Sequence, residues 1–253
     1  MARDGLFDVG AVIGHRGSGR GEVMHDGCRF TENTLASCLK AWENGASWVE
    51  VDVRFGASEA FLHHNRKLID GFRVSDLDAY SARKHGVESL NALFKGLPPR
   101  LGVIVEVKGL ISKRSMEILE RAIGDEVRGS ARDIVVYGFG KYRRDLIRDV
   151  WERSGKVFRF GVIKPPFFPA LKAIKEAQSV GSDLLALHYS SLFSRSGNLR
   201  SGAGEALDII KSSGVNLVSW CPGLSLRDSF MSLGVGGVCV DDVKGWKCGL
   251  LDK

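Results

Sequence analysis

The segment WVEVDVRF, residues 48–55, alternates aliphatic and acidic residues. Successive side chains of a β-strand point to opposite faces, so its three valines share one face while Glu50 and Asp52 share the other. The segment GVIVEVK, residues 102–108, has the same alternation, with Glu106 among its valines. Because both segments are short and rich in valine, they predict buried strands that carry acidic side chains on one face.

Similar strands and intervening helices are predicted along the rest of the chain. Six further runs of aliphatic and aromatic residues predict strands: residues 11–14, 134–139, 157–163, 184–189, 216–221 and 237–241. Between most of the strands lie stretches with apolar residues at helical spacing: residues 34–44, 113–123, 141–153, 169–179, 204–213 and 225–233. Asn33 or Thr34 can cap the first of these helices, and several of the later ones are followed by glycine just before a strand. This pattern is typical of repeated βα units.

The number of repeats favours a closed barrel. Eight strands in 253 residues give 253/8, or about 32 residues per unit, and a (β/α)8 barrel typically has about 250 residues. No GxGxxG, which would favour an open doubly wound sheet, follows the first strand. We therefore predict an α/β protein, a (β/α)8 TIM barrel that forms a single domain over residues 1–253. In such a barrel, functional side chains lie at the carboxyl ends of the strands.

Composition excludes several classes of protein. Apolar residues make up 44% and charged residues 26% of the chain, which is typical of a globular protein and not of a disordered one. No run of 18 apolar residues occurs, so we expect no transmembrane segment. The net charge is 36 − 30 = +6, yet no basic stripe is interleaved with aromatic residues, so we expect a small anionic substrate and no nucleic acid. Five scattered cysteines, and an N-terminus without a long apolar run, favour the cytoplasm.

The acidic residues of the two valine-rich strands predict a metal site. Carboxylates side by side in an apolar barrel repel one another and lose hydration, so a positive charge must compensate. A hard divalent cation, Mg²⁺ or Ca²⁺, suits three such groups: Glu50, Asp52 and Glu106. The alternative is that these carboxylates form ion pairs with basic side chains: Arg16, Lys108 or Arg54.

Histidines at two places are candidates for proton transfer. His15 directly follows the first strand, and His63 and His64 lie in FLHHNRKL, residues 61–68. Histidine is the side chain whose ordinary pKa lies near neutrality, so two histidines that flank a phosphate can act as base and acid in turn. His25, His85 and His188 carry no comparable signal, although His188 ends a strand.

Taken together, the motifs closely resemble those of the glycerophosphodiester phosphodiesterase family. They occur in the order GHRG at residues 14–17, ENTLAS at 32–37, GASWVEVDV at 45–53, LHHN at 62–65 and VEVK at 105–108, and WCPG and GVGGVCVDD near the end look like the family's last two strands. The resemblance implies a TIM barrel that uses a divalent metal to hydrolyse glycerophosphodiesters to an alcohol and glycerol 3-phosphate.

The resemblance also implies roles for individual residues. By motif, the metal ligands would be Glu50, Asp52 and Glu106, and the acid and base would be His15 and His64. Arg16 and Lys108 would contact the phosphate, as their charges suit. Glu32 would orient the first loop or Arg16, or would only place a negative charge near a helix N-terminus. Trp220 would form an apolar wall of the pocket or would pack in the core.

Several departures from the family pattern leave the function open to alternatives. Asn65 stands where the family has an aspartate after its second histidine, and His64 is chosen over His63 because its spacing to Leu68 matches the pattern. Only residues 65–101 separate this motif from the third strand, which predicts a small or absent cap. The alternatives are a lysophospholipase D or sugar-phosphodiester hydrolase that uses the same site, or a phosphate-binding relative without catalytic activity.

Overall fold

The computed structural model describes residues 6–8, 10–130, 132–234 and 236–251 of the chain. In this part of the chain the β-strands are β1 Ala11–His15, β2 Glu22–His25, β3 Cys28–Thr31, β4 Trp48–Phe55, β5 Ala60–Leu62, β6 Gly102–Val107, β7 Ile134–Tyr137, β8 Arg159–Lys164, β9 Leu184–His188, β10 Asn216–Trp220 and β11 Gly237–Val240. The α-helices are α1 Leu35–Glu43, α2 Ala79–Lys84, α3 Leu90–Gly96, α4 Lys113–Gly129, α5 Lys141–Arg153, α6 Ala170–Ser179, α7 Ala203–Ser213, α8 Arg227–Leu233 and α9 Val243–Leu251.

Eight of the strands form a closed parallel barrel. They are paired in the order β1, β4, β6, β7, β8, β9, β10, β11, and β11 pairs with β1 to close the circle. The short strand β5 adds antiparallel to the end of β4, and β2 and β3 form a separate antiparallel hairpin. The predicted (β/α)8 barrel is confirmed.

The alternating faces of the strands create two apolar layers. Val49, Val51 and Val53 of β4 belong to the large core between the barrel and the helices. Trp48, on the opposite face of the same strand, belongs to a smaller core inside the barrel, together with Ile104 of β6. On both strands the next inward residues toward the carboxyl end are acidic, so the apolar filling of the barrel ends where the carboxylates begin.

The structure differs from the sequence prediction mainly in the connections. The glycine-rich first loop contains the β2–β3 hairpin, and residues 65–101 contain α2 and α3, which were not predicted. These helices have six and seven residues, too few turns for an apolar stripe to be recognised. The closing helix α9 was also missed, and α4 runs to Gly129 instead of ending at residue 123.

Two further observations bear on the predictions from composition. Among the described residues, no helix is both long enough and apolar enough to cross a membrane. The four cysteines whose side chains are described, Cys28, Cys38, Cys221 and Cys239, are free thiols.

Candidate active site

The carboxyl ends of several barrel strands open into one cavity of about 190 Å³. Parallel pairing sets the register of its walls: His15 of β1 lies opposite Glu50 of β4, and Asp52 of β4 lies opposite Glu106 of β6. Residues far apart in sequence therefore meet because adjacent strands end at the same level.

Glu50, Asp52 and Glu106 form a buried cluster at the floor of the cavity. One carboxylate oxygen from each lies within 4.8 Å of the others. Glu50 Oε1 is buried and has no hydrogen-bond or ion-pair partner among the described residues. Asp52 Oδ1 and Glu106 Oε1 have only the Lys108 ammonium beside them, at 3.0 Å and 2.6 Å. A buried oxygen without a partner is costly unless a cation or proton occupies the site.

The pKa values of these carboxyls are shifted by burial and by the charges beside them. Burial, with the neighbouring charges of Asp52 and Glu106, raises the pKa of Glu50 well above its ordinary value. Burial also raises the pKa of Glu106 to about 7, although Lys108 opposes the shift. Burial acts the same way on Asp52, but the charges of Lys108 and Arg16 and a hydrogen bond from Asn33 lower its pKa overall. The site holds more negative charge than its own basic residues neutralise.

The donor set fits a hard divalent cation. Three carboxylates face two basic groups, Arg16 and Lys108, and Arg16 also pairs with a fourth carboxylate, that of Glu32. An all-oxygen set with an unpaired buried atom favours Mg²⁺ or Ca²⁺ over zinc. The ion pairs considered as an alternative are present for Arg16 and Lys108, but they do not satisfy Glu50.

Arg54 is turned away from the carboxylates. Its Nε and Nη2 donate to the backbone oxygen of His64 at 2.9 Å and 2.8 Å. The ion pair with this residue that the sequence allowed is therefore not formed; Arg54 instead holds the segment that carries the second candidate histidine.

The GHRG turn depends on two backbone features. Arg16 has a φ of 53° and Gly17 a φ of 90°, both in the left-handed region. A Cβ on Gly17 would lie 2.5 Å from Ser37 Oγ and 2.7 Å from the Ser37 backbone, so only glycine lets this turn pack against α1. The turn brings the Arg16 side chain over the cluster, with Nε 3.1 Å from Asp52 Oδ2.

The ENT motif fastens this turn to β4. Glu32 accepts two hydrogen bonds from Arg16 Nη1, at 3.1 Å and 3.0 Å, and does not line the cavity itself. Asn33 donates to Asp52 Oδ2 at 3.0 Å and accepts from the Asp52 backbone N–H at 2.8 Å. Thr34, not Asn33, caps α1 by accepting from Ser37 N. Of the two explanations for Glu32, the orientation of Arg16 has direct contacts in the structure.

His15 is backed by a carboxylate that the sequence analysis did not assign. Its Nδ1 lies 2.8 Å from Asp241 Oδ1, and its Nε2 lies 3.9 Å from Glu50 Oε2. Burial opposes ionisation of Asp241, but the hydrogen bond from His15 and the charges of His15 and Arg20 lower its pKa. Because a carboxylate only accepts, this pair places a proton on Nδ1 and leaves Nε2 for the cavity.

His64 lines the same cavity, whereas His63 does not. His64 Nδ1 lies 3.1 Å from Asn65 Oδ1, and His63 Nδ1 lies 2.9 Å from the Asn65 backbone oxygen. Burial lowers the pKa of His64, and the nearby charges of Arg16 and Lys108 act in the same direction, although the charge of Asp52 and the hydrogen bond with Asn65 oppose the shift. Asn65 orients this ring without supplying the charge that Asp241 gives to His15.

Trp220 forms an apolar wall of the cavity. It packs edge-on against Phe139, with ring centroids 5.9 Å apart, and against His188 at 4.4 Å. Its buried Nε1 has no hydrogen-bond partner among the described residues. Cys221, which follows it with a φ of 55°, places Sγ 3.8 Å from His15 Nδ1.

Every residue proposed from sequence lies in or beside this cavity, but several contributors were missed. Asp241 could have been found, because it follows the eighth strand at the end where functional residues collect. Arg20, which donates to Asp241 Oδ2 at 2.9 Å, lies in a loop whose path the sequence does not specify. Asn33 and Arg54 act through hydrogen bonds that depend on how the connections fold.

Comparison with known proteins gives no match by sequence and many by structure. No protein-family model and no curated protein matches the chain. Among solved structures, the chain is similar to glycerophosphodiester phosphodiesterases from three bacteria. These are from Parabacteroides distasonis (16% identity, 97% of this chain and 98% of that chain, TM-score 0.74), Thermotoga maritima (17%, 98% and 100%, 0.71) and Agrobacterium tumefaciens (18%, 96% and 100%, 0.69).

The likeness extends over nearly the whole chain at identities too low to transfer a substrate. It agrees with the family resemblance carried by the motifs. The chain therefore has the fold of the glycerophosphodiester phosphodiesterases.

Proposed function

We propose that this protein is a metal-dependent phosphodiesterase that hydrolyses glycerophosphodiesters to an alcohol and glycerol 3-phosphate. The observation that carries the proposal is the meeting of three buried carboxylates, two histidines and two basic residues around one cavity. Such a set binds a phosphodiester, neutralises its charge and moves two protons.

Glu50, Asp52 and Glu106 would hold Mg²⁺ or Ca²⁺. The bound cation would neutralise a non-bridging phosphate oxygen and help to orient the substrate. Arg16 and Lys108 line the cavity beside these carboxylates and add positive charge for the phosphate, which gains negative charge in the transition state. Glu32 is a positioning residue, because it acts through Arg16.

The two histidines are assigned different catalytic roles, because His15 is paired with Asp241 and His64 with Asn65. His15 has the carboxylate of Asp241 behind it, which stabilises an imidazolium, so it suits the acid that protonates the leaving alkoxide. The lowered pKa of His64 keeps that ring neutral near neutrality, so it suits the base that deprotonates the nucleophile. The nucleophile is water or a neighbouring hydroxyl of the glycerol, the second giving a cyclic phosphate first.

A substrate panel tests the activity. Glycerophosphocholine, lysophosphatidylcholine and a sugar phosphodiester would be assayed with EDTA and with Mg²⁺ or Ca²⁺ restored, and the products identified by phosphorus NMR. We expect metal-dependent release of glycerol 3-phosphate from glycerophosphocholine. Tight binding of glycerol phosphate without turnover on any substrate would contradict the proposal and favour a binding protein.

The leaving group tests the two histidine roles. A nitrophenolate leaves without being protonated, so hydrolysis of a nitrophenyl phosphodiester does not need the general acid. It still needs the general base, which activates the nucleophile. We expect His15→Ala to recover most of its lost rate on the nitrophenyl substrate and His64→Ala to recover little. The reverse pattern would exchange the two assignments. His63→Ala, which changes the neighbouring ring outside the cavity, is the matched control.

We also propose that the protein acts in the cytoplasm, since five scattered cysteines suit a reducing compartment. Fractionation of the cells in which the protein is made would test this placement.

A further inference from the structure

Four consecutive loops at the mouth of the barrel have an unusual composition. They follow β6, β7, β8 and β9 and, with the adjoining residues, span residues 108–114, 138–144, 164–169 and 189–202. We call these four segments the basic rim. They contain nine lysines and arginines and no aspartate or glutamate. The loop after β1, residues 16–34, has three residues of each sign and therefore no such excess of positive charge.

Each segment of the basic rim also exposes one large apolar or aromatic side chain. The exposed fractions are 97% for Leu110, 64% for Tyr142, 68% for Phe167 and 45% for Leu199. Exposed apolar residues are ordinary when they are scattered singly over a surface. Here one stands in each of four neighbouring loops, all at the carboxyl ends of the barrel strands, where the candidate active site opens.

Direct contacts join the four segments. Arg143 Nε donates to the backbone oxygen of Gly109 at 2.6 Å, and Lys164 and Arg144 share the carboxylate of Glu176. The Phe167 backbone N–H donates to Ser190 Oγ at 3.0 Å. The basic rim is therefore one continuous surface.

Most of the positive charge of the basic rim is not neutralised. Lys108 contacts the buried carboxylates, and Arg144 and Lys164 pair with Glu176. The other six basic residues have no acidic partner in the part of the chain that the structure describes: Lys113, Arg114, Lys141, Arg143, Arg195 and Arg200. Unpaired lysines and arginines around single exposed apolar side chains are complementary to a surface whose outer layer is anionic and whose inner layer is apolar.

We propose that the basic rim docks on an anionic phospholipid bilayer, with its apolar side chains in the interfacial region and its lysines and arginines among the headgroups. Isolated Leu, Tyr and Phe side chains on separate loops suit shallow insertion into a bilayer. Leucine at two of the four tips argues against a nucleic acid, for which aromatic side chains would stack on bases.

Docking in this way also specifies the substrate class of the proposed phosphodiesterase, and this assignment rests on the proposed function. The cavity is lined by Lys108 and Phe139, which belong to the basic rim. A bilayer bound to the basic rim would bring phosphodiesters of membrane lipids, such as lysophospholipids, directly to the mouth of the barrel. The substrate class is then a lipid-borne phosphodiester.

Vesicle binding tests the docking without any need for turnover. Flotation of the protein with vesicles of phosphatidylcholine alone and of phosphatidylcholine mixed with phosphatidylglycerol would be measured at low and high salt. We expect binding to the anionic vesicles only, weakened by salt. Changing Lys141→Gln with Arg195→Gln should weaken it by roughly 25-fold, since each basic residue near an anionic surface contributes about fivefold. Leu110→Ser with Phe167→Asn should weaken it by about tenfold or more.

Matched control variants lie at the opposite end of the barrel. Lys95→Gln with Arg100→Gln removes two exposed charges near the end of α3, and Trp42→Ser removes an apolar side chain that is 47% exposed in the last turn of α1. These variants should bind vesicles as the unaltered chain does. Equal binding to both kinds of vesicle, no binding to either, or equal losses from control and rim variants would overturn the proposal. Stronger binding to a single-stranded RNA, insensitive to the apolar variants, would also overturn it.

Activity separates this proposal from the one on which it rests. The rim variants should hydrolyse soluble glycerophosphocholine at the unaltered rate and lose rate on lysophospholipid presented in anionic vesicles. If vesicle binding is present but no substrate is turned over, docking stands and the phosphodiesterase assignment fails. If both substrates are turned over and rim variants change neither rate nor binding, docking fails alone.

Discussion

His15 and His64 face one cavity but are supported by groups of different charge. Asp241 gives His15 an ionised partner, whereas Asn65 offers His64 only a neutral amide oxygen. The two rings therefore differ in the charge of the group that supports them, and this difference is the basis of the two roles proposed for them. Because Asn65 stands where the family pattern has an aspartate, the oxygen 3.1 Å from His64 Nδ1 is uncharged.

On glycerophosphocholine, the replacement His15→Ala should reduce kcat by about a hundredfold or more, since it removes one of two proton-transfer groups. Among the described residues, the polar partners of the ring are Asp241, Glu50 and Cys221, none of which it links to a helix or strand that depends on it, so the far-ultraviolet circular dichroism should stay unchanged. Near-normal activity of this variant would contradict the assignment of His15 as a proton-transfer residue.

The replacement Asn65→Asp should raise the pKa of His64, because a carboxylate stabilises the imidazolium. A base must be unprotonated, so the acidic limb of the kcat/KM profile should move to higher pH by roughly one unit. An unchanged profile would contradict the role of His64 as base. Asn65→Gln, which changes side-chain length and not charge, separates charge from geometry.

At the scale of elements, the GHRG turn and β4 are held together by Asn33. This residue has a φ of 58°, and its amide makes two buried hydrogen bonds with Asp52. A strand that carries metal ligands and a loop that carries Arg16 are thereby fixed in one position. Pre-organisation of this kind keeps ligands at a productive spacing before substrate binds.

The variants Asn33→Ala and Asn33→Gly divide this contribution into two parts. Both lose the hydrogen bonds, which should lower the free energy of unfolding by about 2 kcal/mol. Alanine, unlike glycine, is also strained by the left-handed φ at this position, which should lower the free energy of unfolding by about a further 1 kcal/mol. Urea denaturation of both variants measures the difference. Thr34→Ala removes the adjoining helix cap and should cost about 1 kcal/mol without changing metal affinity. Equal stability of all three variants would contradict a stabilising role for the hydrogen bonds between Asn33 and Asp52.

At the scale of the whole molecule, the barrel concentrates negative charge at the end of its apolar core. Glu106 has a pKa of about 7, above its ordinary value, because it is buried beside Asp52, although Lys108 opposes the shift. Between about pH 4.5 and pH 7, Glu106 of the metal-free folded protein therefore binds more protons than it does in the unfolded chain, and the raised pKa of Glu50 acts in the same direction. The lowered pKa values of His64 and His188 oppose this difference in the upper part of the range. Asp52 and Asp241, whose pKa values are lowered, affect stability only at more acidic pH.

From this difference in bound protons, we expect the stability of the EDTA-treated protein to be highest near the acidic end of that range. It should fall as the pH rises to 7, since the proton on Glu106 is then lost. Mg²⁺ or Ca²⁺ should restore the melting temperature, increasingly so as the pH rises, because the ligands must be deprotonated. Differential scanning calorimetry across this range measures both effects.

A variant with an uncharged ligand residue provides the control. Glu50→Gln keeps the shape of the side chain but cannot lose a proton, so the metal-free protein should lose less stability as the pH rises than the unaltered chain does. The same variant should lose most of its stabilisation by metal. Full metal stabilisation of this variant would show that Glu50 is not a ligand.

Strand alternation made part of this site predictable. Glu50, Asp52 and Glu106 follow from a period of two residues along valine-rich segments, and the barrel follows from eight such segments in 253 residues. Local spacing fixes which side chains share a face, so no tertiary information is needed for those conclusions.

Other features were decided only by the closing of the barrel. His15 and Asp241 are 226 residues apart and meet because β11 pairs with β1. Arg54 shares the strand face of Asp52 by period, yet it bonds to the His64 backbone where β5 turns back along β4. The strands, the barrel and the carboxylate cluster could be predicted from the amino-acid sequence, because they depend on local periodicity. The partner of each histidine and the continuity of the basic rim could not, because both depend on contacts between distant loops.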